Sequence, residues 1–96
     1  MQTKWKKNMK GKQILDFIAN EIQSTLNCYE NLSKDSVSVS LENDRIYFRA
    51  ENYEYSQQVD AFQTALVNNV EVVGEDAMKL NIAVALDEIN WMKEEE

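Results

Sequence analysis

The sequence predicts an α+β fold, an antiparallel β-hairpin with helices laid against one of its faces, in the order α-β-β-α-α. Three observations carry this. The stretch 37–50, Val-Ser-Val-Ser-Leu-Glu-Asn-Asp-Arg-Ile-Tyr-Phe-Arg-Ala, sorts its side chains at period 2 about a central Asn43-Asp44. On both sides of it apolar residues recur at alternating three and four spacing, as in helices with one buried stripe. With two glycines and no proline in 96 residues, there is little provision for irregular loops.

Asn43 and Asp44 suit a two-residue hairpin loop because both side chains tolerate φ > 0. Glu42 then faces Arg45, Leu41 faces Ile46, Val39 faces Phe48 and Val37 faces Ala50. Because side chains alternate, the apolar pairs share one face. Ser38, Ser40, Glu42, Arg45, Tyr47 and Arg49 share the other, with Glu42 and Arg45 of opposite sign across the turn.

Ahead of the hairpin, 13–32 reads as a helix. Leu15, Ile18, Ile22, Thr25, Tyr29 and Leu32 form its stripe, with Leu26 reinforcing it. Phe17 and Cys28 lie on its flank, Cys28 as a small buried hydrophobe. Residues 31–36 make the turn into the hairpin. After Ala50, Asn52 or Ser56 is placed to cap a second helix with the stripe Tyr55, Val59, Phe62, Leu66 and Val70, extending to Val73. Gly74 suits its C′ position, although the β-branched run Val70-Glu71-Val72-Val73 also fits a short strand.

The last segment, 76–96, carries two patterns. Leu80, Ile82, Val84 and Leu86 alternate as a strand followed by a short helix would. Met78, Ile82, Ala85, Ile89 and Met92 fit a longer helix, and length, two alanines and Asp76 as N-cap favour it. Such a helix carries a second stripe, Leu80, Val84 and Trp91, roughly opposite the first. That stripe is the expected interface of a homodimer, with Trp5 and Met9 folding over it as the competing cover.

The charge of −7 hides an asymmetry. Residues 1–12 form a basic arm with five lysines and no acid, while 13–96, a single domain, holds five basic and seventeen acidic residues. A body of −12 repels nucleic acid and anionic membrane and attracts basic protein surfaces. The lysine arm alone offers a lipid or nucleic-acid contact. No apolar run suits a membrane span or a signal peptide, so a cytoplasmic protein is the expectation.

Catalytic groups are sparse. Without histidine the usual general base and metal ligand are missing, and a single cysteine forms no internal disulfide. Neither glycine has a second nearby to build a phosphate loop, and no calcium-loop pattern occurs. Acid pairs such as Glu75-Asp76 and Asp87-Glu88 are chain neighbours, which diverge on a helix. The expectation is no enzyme, no cofactor and no metal. Tyrosine and arginine are favoured at interfaces, so Arg45, Tyr47, Arg49, Glu51, Tyr53 and Glu54 are the candidate partner-binding residues, with Tyr55 beside them and the hairpin's two unpaired edges available. Together these features predict a small acidic protein-binding module that occludes a basic surface on its target, as inhibitors and DNA mimics of phage or mobile elements do. The alternative is a homo-oligomeric adaptor or chaperone.

Overall fold

The computed structural model describes residues 10–27, 29, 32 and 36–95. Their elements are α1 (Lys10–Leu26), β1 (Ser38–Glu42), β2 (Arg45–Ala50), β3 (Tyr53–Gln58), α2 (Val59–Phe62), β4 (Thr64–Val67), β5 (Val70–Val73) and α3 (Glu75–Glu94). Strands β1, β2 and β3 form one antiparallel sheet in that order, and β4 and β5 a separate two-stranded one. The fold is α+β, and the expected order of helix, hairpin, helix, helix holds, with β3, β4 and β5 interposed.

The hairpin has the expected register. Val39 pairs with Phe48, Ser40 with Tyr47, Leu41 with Ile46 and Glu42 with Arg45, and the ladder ends at Ser38 and Arg49, short of Val37. Asn43 and Asp44 both adopt the left-handed conformation, at φ 52° and 64°, the geometry that matches a tight turn to strand twist. Helix α1 lies over β1, α3 crosses β2 and β3, and the two helices pack on each other. Between them and the sheet lie Ile14 and Ile18 of α1, Ile46, Phe48 and Ala50 of β2, and Met78, Ile82, Ala85, Leu86 and Ile89 of α3, all buried. Phe62 of α2 closes one end by stacking on Phe48, with ring centroids 6.1 Å apart.

Helix α1 starts earlier and ends sooner than expected. It includes Gly11, where an added Cβ would sit 2.7 Å from Leu41 Cδ2, so the missing side chain lets the first turn close on the hairpin. Its buried line is Ile14, Ile18 and Leu26, so the stripe is turned by one residue from Leu15, which is only half-buried. The arm's Trp5 and Met9, together with Cys28, lie outside the described residues.

Of the expected second helix only one turn forms, α2, with β3 before it and the β4–β5 hairpin after it. Asn52 sits in the β2–β3 turn and Ser56 within β3, so neither caps a helix. The stripe residues Tyr55, Val59 and Phe62 still face the core, but Leu66 and Val70 do not. Asn68 and Asn69, at φ 54° and 68°, repeat the turn chemistry of Asn43-Asp44 and reverse the chain between β4 and β5. Gly74 begins α3 rather than ending a helix, at φ 77° and ψ −143°, a conformation that L residues rarely adopt. Asp76 falls in the first turn of α3, after the cap. The last segment is one helix, with Met78, Ile82, Ala85 and Ile89 buried as the longer pattern required.

One buried polar residue of α3 fixes the path after α2. Asn81 Nδ2 donates to Phe62 O at 2.9 Å and Thr64 O at 3.0 Å, within reach also of Ala61 O at 3.5 Å. The Ala61 and Phe62 carbonyls belong to the end of α2, which has no further turn to satisfy them, and Thr64 opens β4. Its Oδ1 faces the Gln57 amide at 3.5 Å, so one side chain ties β3, the end of α2 and the start of β4 to α3. Replacing Asn81 by Leu removes the donor and leaves buried carbonyls unpaired. Urea unfolding should show a loss of about 1–3 kcal/mol, and a neutral result would show that these carbonyls find other partners.

Candidate functional site

The face of the three-stranded sheet turned away from the helices carries Ser38, Ser40, Glu42, Arg45, Tyr47, Arg49, Glu54, Ser56 and Gln58, none of them buried. Strand alternation puts all nine on one side. Arg49 organises this surface. Its Nε donates to Glu54 Oε2 at 2.7 Å, its Nη1 to Glu42 Oε2 at 2.9 Å, and its guanidinium lies 4.5 Å from the Tyr47 ring centroid. Ser40 Oγ donates to the same Glu42 carboxylate at 3.0 Å. The guanidinium and this hydroxyl hold the Glu42 carboxyl below its usual range, and the two carboxylates raise the Arg49 pKa. Arg45, although opposite Glu42 in the ladder, makes no salt bridge with it. It donates to Ser56 Oγ from Nη2 at 2.9 Å and from Nε at 3.2 Å.

The structure brings Arg45, Tyr47, Arg49 and Glu54 together as the sequence predicts, and separates the other two candidates from them. Tyr53 lies opposite Ala50 on the helix-covered side, packed against the core, because period-2 alternation in β3 sends 53, 55 and 57 inward. Tyr55 follows it; its partly buried hydroxyl is pushed up in pKa by desolvation first and by Glu88 second, with Arg45 opposing. Glu51 sits in the β2–β3 turn at φ 56°, with its carboxylate 3.6 Å from Lys93 Nζ. Strand β3 also pairs with the β2 edge of the hairpin, so the outer strands of the sheet are β1 and β3.

A second surface was invisible to sequence reasoning because it depends on the β4–β5 hairpin. Large apolar side chains are exposed at Leu66 (75%), Val70 and Val73 (62% each) and Val67. Cross-strand pairing places Leu66 with Glu71 and Thr64 with Val73 on one side, all exposed, while Ala65 and Val72 on the other are half-buried. The Asn68-Asn69 dipeptide flanked by valines was the available signal. On α3 the expected second stripe is present and exposed, at Leu80, Val84 and, most strongly, Trp91 (61%). A recess of about 180 Å³ beside Trp91 is lined by Glu88, Met92 and Glu95.

An open cleft of about 420 Å³ runs beside the β1–β2 turn, lined by Gly11, Asn43, Asp44, Arg45, Gln58, Val59 and Asp60. Among the described residues no group of three or more aspartate, glutamate, cysteine or histidine side chains is placed to hold a metal ion, and no helix is long and apolar enough to cross a membrane. No protein-family model matches the chain, and comparison with curated proteins and with solved structures gave no match.

Proposed function

We propose that this chain is a small, acidic, non-enzymatic protein-binding module that occludes a basic surface on a target protein, in the manner of an inhibitor or DNA mimic. The observation that carries this is the disposition of charge. Of the carboxylates whose side chains are described, all but Glu21 and Glu88 are exposed. Of the body's described cations Lys79 is exposed, and the other three are engaged by polar neighbours. Arg49 bridges Glu42 and Glu54, Arg45 is bound to Ser56, and Lys93 lies against Glu51. A surface that presents many exposed anions and few cations, most of them already partnered, attracts a basic partner over several ångströms and speeds encounter more than it deepens affinity.

Exposure of Leu80, Val84 and Trp91 on one helix supports a second reading, a homodimer formed through α3. Because they are 40%, 43% and 61% exposed, burying what remains of these three side chains on two copies would gain about 4–9 kcal/mol gross, roughly half of what full exposure would yield. Lost translational and rotational freedom costs about 4–15 kcal/mol, so the balance permits association only toward the low end of that cost. A dimer of acidic modules and a protein-binding role are compatible.

Two measurements check these readings. With the target captured from the source cells and purified, its association rate should fall by about tenfold or more between low salt and physiological salt, as the screening length contracts to about 8 Å. A salt-independent rate, or tight binding of the isolated chain to duplex DNA, contradicts the first reading. For the second, Val84→Glu puts two like charges in an apolar seam, so the dimer should become a folded monomer in sedimentation velocity. Wild-type protein sedimenting as a monomer at concentrations on the order of tens of micromolar excludes the dimer.

A further inference from the structure

The β4–β5 hairpin is where the exposed apolar surface and the negative charge of this chain coincide. No lysine or arginine occurs between Arg49 and Lys79, a span that holds Glu51, Glu54, Asp60, Glu71, Glu75 and Asp76. The base of the hairpin is anchored. Gly74 N–H donates to Gln63 O at 3.1 Å, Asn81 holds Thr64 O, and both strands contact α3. Its outer side is open, with Leu66 three-quarters exposed directly opposite Glu71. Where this side meets the end of α2, a shallow groove of about 260 Å³ is lined by Gln57, Ala61, Thr64, Ala65, Leu66 and Glu71. Among the described residues Glu71 has no cation within ion-pair distance, unlike Glu42, Glu51 and Glu54.

We infer that this hairpin is the element that engages the target, and that it takes an apolar patch carrying a lysine or arginine. The cation's aliphatic stem lies along Leu66 in the groove, and its charged head meets Glu71. Charge also selects among occupants. A second copy would bring its own Glu71, Glu75 and Asp76 against these, with no lysine or arginine in the span to offset them. An anionic membrane or nucleic acid is repelled for the same reason. A basic protein surface with an apolar centre satisfies both the exposed leucine and the unpaired carboxylate, since long cationic side chains bury their methylenes while the head stays hydrated. The inference rests on the protein-binding reading and deepens it by assigning the surface to 64–73 rather than to the Arg49 face of the sheet.

The test uses the full chain labelled with ¹⁵N and three short helical peptides. One has leucines on one face flanked by lysines, one has lysines without leucines, and one has leucines with glutamines. The lysine–leucine peptide should bind saturably, with amide shifts concentrated between Ala61 and Val73, and the other two should bind at least tenfold more weakly. Leu66→Ser and Glu71→Lys alter exposed side chains outside the core, so each should weaken binding at least tenfold with spectral dispersion unchanged. Shifts confined to 38–58 would overturn the hairpin assignment while leaving a protein-binding module whose contact face is the sheet. Equal binding of the lysine-only peptide would reduce the interaction to general acidity and overturn it as well. Shifts in 64–73 that appear on concentrating the chain without peptide would make a second copy the occupant. Absence of saturable binding by any peptide would overturn the assignment and remove support from the parent reading.

Discussion

Strand β2 is hydrogen-bonded along both edges and buried along one face, and the rest of the molecule is placed by that constraint. Ile46, Phe48 and Ala50 are inaccessible to solvent and alternate with Arg45, Tyr47 and Arg49 on the open side. Because the side-chain period is 2, a slip of one residue against either neighbour would exchange these sets and bury two arginines and a tyrosine. The apolar side then dictates where α1, α2 and α3 must lie, since each helix has one stripe to bury. The polar side gathers the ions of three strands into one plane and creates the Arg49 network.

The parts of this fold legible in the sequence are those set by local chemistry. Asn43-Asp44 between alternating runs defined the first hairpin, its register and its faces, and the Met78–Ile82–Ala85–Ile89 line defined α3. What was not legible depends on competition between periods. Tyr55, Val59, Phe62, Leu66 and Val70 fit a helix by spacing, yet Tyr53, Tyr55 and Gln57 also alternate, and pairing with the exposed edge of β2 settles 53–58 as a strand. Val59 N–H donating to Asp44 O at 2.9 Å then starts a single helical turn beside the first hairpin. Asn81 offered no sequence signal at all, since its role exists only once α2 and α3 are in contact. The Arg45–Tyr47–Arg49–Glu54 grouping was readable from the hairpin. Tyr53 left it because a third strand, not a helix, follows.

These features give the molecule two kinds of surface. On the sheet, cations, anions and the Tyr47 ring are matched to one another, so a partner there must exchange existing contacts for new ones. On the β4–β5 hairpin and the outer side of α3, leucine, valine and tryptophan meet solvent with little local compensation. Single exposed apolar residues are ordinary, whereas here four fall within ten residues of one hairpin. Most of the exposed large apolar side chains therefore lie in the C-terminal third rather than on the sheet.

Native-state hydrogen exchange on the full chain tests most directly whether β2 is the organising strand and the β4–β5 hairpin an appendage held by α2 and α3. Residues released only by global opening should include the β2 amides. Those of β4 and β5 should exchange faster through local opening, because their two-stranded sheet is exposed and short. Protection of 64–73 equal to that of β2 would contradict the account, as would β2 amides exchanging ahead of the hairpin.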